Sequence, residues 1–191
     1  MTKKMLTMKK LTTYLFTALL IVAFTSCDFL DKFDHFGAGN TFDESFTVTV
    51  DENDPDFTGT VEFAATDDET IKENIDRISD YKLNKLSFVI DSYNGPSSSV
   101  GNGQFSFSSL GTPVGSPIVI SNVNFAQLAA SGEEFEIPIT DAFVLAVGEA
   151  YLNNQTLTVE ASGSISDLTE AASFDFTVYL SIEARIDVKD D

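Results

Sequence analysis

The chain has 191 residues, with 30 Asp and Glu against 11 Lys and Arg, a formal net charge of −19. Four lysines (Lys3, Lys4, Lys9, Lys10) precede residue 27 and no acid does, so the remainder is more acidic still; that argues against nucleic acid, whose counterions only a basic surface displaces. Hydrophobic residues make up 43%, with 17 Phe, which excludes an acidic disordered tail, while one Cys, one His and no Trp remove most metal and nucleophile chemistry.

In chain order, the four lysines are followed by residues 11–24, which carry no charge and are mostly apolar. That is short for a membrane span, which takes ~20 residues. It suits the apolar region of a secretory signal, with the lysines kept on the cytoplasmic side. Thr25, Ser26 and Cys27 come next, and Cys27 is the only cysteine. This ending resembles the lipobox of bacterial lipoproteins, with Phe24 where that family usually has Leu. The resemblance implies that residues 1–26 are a signal peptide cut after Ser26. It also implies that Cys27 carries a thioether-linked diacylglycerol and that its new amine is acylated, with palmitate for instance. An ordinary signal peptide with an incidental Cys, or a signal anchor, are the other readings of these residues. One thiol cannot pair within its own chain, so the folded part must stand on its core alone.

Residues 27–44 alternate acids with Phe29, Phe33, Phe36 and Phe42, and hold Gly37 and Gly39. Neither the helical nor the strand period persists, so they are expected to form an acidic tether between lipid and domain. The start Ser26-Cys27-Asp28-Phe29-Leu30-Asp31 is similar to that of many outer-membrane lipoproteins of gut and environmental Gram-negative bacteria. It implies the cell outer membrane as the location.

From residue 45 the period is two. Phe46, Val48 and Val50 alternate with Thr47, Thr49 and Asp51; Val61, Phe63 and Ala65 follow after a turn-prone stretch at 51–56. Leu86, Phe88 and Ile90 alternate with Ser87, Val89 and Asp91, and Asn94-Gly95-Pro96 ends that run. Further runs hold Phe105 and Phe107, Ile118 to Val123, Phe135 to Ile139, and Leu157 to Ala161. The last segment is the longest. Every second residue from Phe174 to Val188 is apolar, and the alternates are Asp175, Thr177, Tyr179, Ser181, Glu183, Arg185 and Asp187. This is the pattern of antiparallel strands with one face buried. Two segments read as helices. Residues 67–80 space Ile71, Ile75 and Ile78 by four and three, and residues 140–153 space Phe143, Val147 and Tyr151 by four, with Thr140 or Asp141 as N-cap.

The expected fold is all-β: an antiparallel β-sandwich over residues 45–191, immunoglobulin-like or jelly-roll-like, with seven to nine strands and two short helices. A closed barrel is the alternative. The helical Ile71–Ile78 segment, the run from Lys85 to Ser92, and then Tyr93-Asn94-Gly95 resemble a group of small uncharacterised β-sandwich lipoproteins of the same bacteria. That resemblance carries no activity.

Candidate chemistry is sparse. His35 is the only imidazole, stands eight residues past Cys27, and reads as a solvated linker residue. Asp51, Asn53, Asp54 and Asp56 place four oxygen-bearing side chains within one interstrand loop. Hard cations favour such sets, so this is a candidate calcium loop; it lacks the glycine and terminal glutamate of an EF-hand, and Asp, Asn and Pro also serve turns for conformational reasons alone. Two carboxylates suffice for glycoside hydrolysis, but among so many acids some pair always fits. Tyr179, on the polar face of the last strand, and Tyr93, beside Asn94-Gly95, are the candidate sugar-stacking rings, with packing under a loop or cross-strand pairing as the alternative. The expectation is a lipid-anchored, non-enzymatic binding or structural module of the cell envelope. Its partners would be the membrane, through the anchor, and an envelope protein or a glycan. A glycan-binding module and a two-carboxylate hydrolase are the alternatives.

Overall fold

The long alternating segment at the C-terminal end becomes β9 (Ala172–Asp187), and its pattern is carried out as far as Ile186: Phe174, Phe176, Val178, Leu180, Ile182, Ala184 and Ile186 are each 3% exposed or less, whereas Val188, expected to continue the row, lies past the strand and is exposed. The computed structural model describes residues 35–188. Gly37–Ile186 form one compact unit, which holds the two sheets; His35 and Phe36 open β1, Asp187 closes β9, and Val188 follows it.

Around β9 the described strands are β1 (His35–Val50), β2 (Asp56–Ala64), β3 (Ile78–Asn94), β4 (Val100–Ser109), β5 (Thr112–Pro113), β6 (Ile118–Asn124), β7 (Phe135–Glu136) and β8 (Thr156–Ser166). One sheet has the order β1-β9-β3-β7; the other has β2-β8-β4-β5, with β6 also pairing β4. From β1 to β4, and again from β6 to β9, each strand lies in the opposite sheet from its predecessor. That alternation is the jelly roll, the second of the two expected sandwiches. An immunoglobulin fold instead keeps sequential hairpins within one sheet. A closed barrel would form one continuous ladder, and here there are two.

Strand β3 pairs β9 over their whole length, with register shifts between Ile78 and Asp80, Leu83 and Lys85, and Ile90 and Ser92. Such bulges let a long pair bend around a core without losing its inward face. The core between the sheets is built from stacked rings. Phe88 and Phe176 lie 4.7 Å apart between centroids, and Phe105 of the opposite sheet meets them at 5.6 and 5.8 Å. A second group gathers Phe57, Tyr93, Phe125 and Phe174, with Phe125 and Phe174 at 4.8 Å. Offset and edge-to-face rings of this kind add to the area they bury.

Three short α-helices lie among the described residues: α1 (Glu69–Glu73), α2 (Phe125–Ser131) and α3 (Asp141–Asn154). α3 is the expected second helix. Its N-cap Thr140 accepts from Phe143 N at 3.3 Å, and Phe143, Val147 and Tyr151 are buried. It packs on β3 so closely that a Cβ on Gly148 would stand 2.4 Å from the Tyr81 carbonyl oxygen. Tyr151 donates to the carbonyl of Phe63 at 3.3 Å, whereas the hydroxyl of Tyr81, buried beside it, finds no partner among the described residues. Burial pushes the Tyr81 hydroxyl up to about 12.

The first expected helix is shorter than its isoleucine spacing suggests. α1 ends at Asn74, a 3₁₀ turn covers Ile75–Arg77, and Ile78 already opens β3. Asn74 stops the helix with its own side chain, which donates back to the Thr70 carbonyl at 2.7 Å. The third helix, α2, was not expected. It lies between Asn124, which caps Gln127 N at 2.8 Å, and Gly132 in the left-handed region.

The tether boundary also moves. β1 begins at His35, so residues 35–44 belong to a strand rather than to a spacer, and His35 is its first residue rather than a linker residue. Ala38, Phe42 and Phe46 pack against the core at even positions, which continues the period of Val48 and Val50. The acids and glycines between them hid that period. They are tolerated because β1 is the edge strand of its sheet, with β9 on one side.

Candidate functional site

The outward residues of β1, β9 and β3 form a polar face whose geometry is set by register. Ser87 lies opposite Tyr179, Lys85 opposite Ser181, and Val89 opposite Thr177. At the bulge between Ile90 and Ser92 two consecutive side chains reach this same face: Asp91 accepts from Thr177, and Ser92 donates to Asp175 at 2.7 Å. β1 closes the rows. Ser45 bonds Thr177 at 2.7 Å, and Thr47 donates to Asp175 at 2.7 Å. The hydroxyls of Thr47 and Ser92 hold the Asp175 carboxyl below the ordinary carboxylate range.

Farther along β9 the rows open into a shallow depression of about 450 Å³, lined by Thr41, Lys85, Ser87, Val89, Gly132, Glu134, Tyr179 and Ser181. Glu134 lies just past α2. Its carboxylate accepts from Ser87 and pairs with Lys85 Nζ at 2.8 Å, which covers Ser87 completely although it points outward. Hydrogen bonds from Lys85 and Ser87, with the charge of Lys85, hold the Glu134 carboxyl low. Tyr179 is half-buried at the wall. Partial burial first, then the carboxylates of Asp91, Asp43 and Glu134, push its hydroxyl up. An aromatic ring and several convergent polar groups, two of them with shifted pKa values, make this depression the candidate site.

The other residues expected to act fall elsewhere. Cys27 and the expected signal peptide, residues 1–26, lie outside the described residues. The loop between β1 and β2 is a closed turn. Asp51 Oδ1 accepts from Asn53 N at 2.7 Å and Asp54 N at 3.0 Å, and the Asp51 and Asp54 backbones bond each other. Asp56 is not gathered into it, since it begins β2 opposite Ser164. Among the described residues no group of three or more His, Cys, Asp or Glu side chains is placed to hold a metal ion. Tyr93 packs under the β3–β4 loop, its hydroxyl donating to Pro96 O at 3.2 Å and its ring against Phe125 and Phe174. Of the two candidate rings, Tyr179 alone lines the depression.

Lys85, Ser87 and Glu134 were missed as site residues. Lys85 and Ser87 stand at outward positions of a legible strand, which was a usable signal. Glu134 follows Gly132 in a stretch without periodicity, and nothing local says which strand it covers.

No protein-family model matches the chain, and no curated protein matches it. Solved structures do. The decameric BFDV capsid protein aligns at 11% identity over 78% of this chain and 99% of its own, with a TM-score of 0.41. Tobacco necrosis virus aligns at 12% identity over 82% and 84%, with a TM-score of 0.37. Turnip yellow mosaic virus aligns at 8% over 82% and 97%, with a TM-score of 0.33.

Proposed function

We propose that the protein is a cell-envelope lipoprotein, held in the outer membrane by lipid on Cys27 after removal of residues 1–26, and that it works without catalysis as a binding module. Its binding surface is the outer face of the β1-β9-β3-β7 sheet. The depression around Tyr179 carries this reading, because it brings an amphipathic ring and a preorganised ion pair to an otherwise hydroxyl- and carboxylate-lined sheet. The carboxylates support binding over hydrolysis. Hydrolysis of a glycoside takes two facing carboxyls, whereas the lining of the depression offers one, Glu134, which is already bonded to Lys85 and Ser87.

Two arms test the proposal in cells. Labelling with a palmitate analogue should mark the wild type and be lost in Cys27→Ser; label retained by the variant would remove the anchor from the account. With Cys27 retained and its thiol taken up by the lipid, a cysteine-borne photo-crosslinker at Ser181 should give defined adducts. The same group at Thr158, on the other sheet, should give none. Equal or absent adducts at the two positions would reject the binding face.

A further inference from the structure

We infer that the depression around Tyr179 is a subsite for a neutral saccharide. This rests on the binding face proposed above and names the ligand that face takes. The lining decides the chemistry. Thr41 and Ser181 contribute hydroxyls, the phenol of Tyr179 a third, and the one ammonium, Lys85, is matched by the one carboxylate, Glu134, over the covered Ser87. The lining is therefore neutral in sum, dense in both donors and acceptors, and flanked by apolar surface on the Tyr179 ring and on Val89. A sugar ring has the complementary composition, a face of C–H groups and a rim of hydroxyls that each donate and accept. A purely apolar ligand would leave the ion pair and hydroxyls desolvated without partners, which costs free energy for each group. The volume, about 450 Å³, lies within the ~300–1,000 Å³ of ordinary ligand sites.

Charge beyond the lining adds a filter. Asp91 stands on the same outward face, where it accepts from Thr177, the outward neighbour of Tyr179 on β9; with Asp43 of β1 it pushes the Tyr179 hydroxyl up, and the chain as a whole is strongly negative. A uronate or sulfated sugar entering the depression meets that field uncompensated, because Lys85 is already paired. The site should therefore reject anionic glycans and accept neutral ones, a discrimination built from repulsion.

The test is calorimetric titration of the full chain in detergent with three neutral probes, laminarihexaose, cellohexaose and mannohexaose, and one anionic probe, an alginate hexasaccharide. At least one neutral probe should bind, and alginate at least tenfold more weakly at low salt. Tyr179→Leu, which keeps apolar bulk but loses the ring, should weaken the neutral probe tenfold or more. Tyr179→Phe should restore it to within about threefold, with melting temperatures checking that both variants fold. Asp43→Asn combined with Asp91→Asn should narrow the gap between neutral and anionic probes at least threefold. Binding of none of the neutral probes, or binding indifferent to Tyr179→Leu, would overturn the saccharide assignment. If the Ser181 crosslinks persist in that case, the binding face stands and only its ligand is wrong. Saccharide binding with an unchanged alginate gap in the double Asn variant would overturn the charge filter.

Discussion

The two faces of β9 are made by alternate residues of one strand and obey different rules. Inward, Phe174, Phe176, Val178, Leu180, Ile182 and Ala184 form an apolar row within the hydrophobic core. Outward, Asp175, Thr177, Tyr179 and Ser181 each meet specific partners on β1 or β3. The inner face thus supplies stability through area, and the outer face supplies recognition through geometry. A slip of one residue would exchange the two faces, so the apolar row also fixes where the polar one points.

The largest effect that tests this division is Ile182→Asp. The position is fully buried, and an unpaired carboxylate there should cost about 4 kcal/mol or more and leave little folded protein in urea melts. A small loss would mean that the inner face is not sealed.

A subtler break comes from the two tyrosines inside the sandwich. Tyr81 has no partner for its hydroxyl among the described residues, so Tyr81→Phe should raise stability by about 1 kcal/mol. Tyr151 donates to Phe63 O, so Tyr151→Phe should lower it by about the same amount. Opposite signs in the two denaturation curves are the expected outcome.

The outer rows are tested by pH. Asp175 and Glu134 have depressed folded-state pKa values, so their contribution is complete above the unfolded carboxylate pKa of about 4 and is lost as pH falls through the lower folded values. Thr47→Val should lower the melting temperature at pH 7, and the difference from wild type should shrink below about pH 4. A constant difference would assign Thr47 to packing rather than to holding a charge.

Smaller still is Glu183→Thr, one residue from Ile182 and exposed, which should change stability by less than about 1 kcal/mol. Finally, the acids of the β1–β2 turn act through Asp51 as hydrogen-bond acceptors. Millimolar calcium should therefore give the same melting temperature as sodium chloride at equal ionic strength. A rise confined to calcium, and lost in Asp54→Asn with Asp56→Asn, would instead establish an ion site there.

By itself the sequence determined the class of fold and the inward row of nearly every strand, because side chains of a strand alternate and burial selects apolar ones locally. It also determined α3, whose cap and spacing are contained in one contiguous segment. Three things needed the tertiary structure. The choice of jelly roll over immunoglobulin sandwich depends on which strands pair, a relation between distant segments that no local period encodes. The strand at 35–44 is held by β9 across the fold, and its own glycines and acids conceal it. The depression around Tyr179 is the same case in small: Tyr179 was visible on its outward position, but its neighbours Lys85, Glu134 and Thr41 come from three other parts of the chain. They are joined to it by register, bulges and one ion pair, and only packing brings those together.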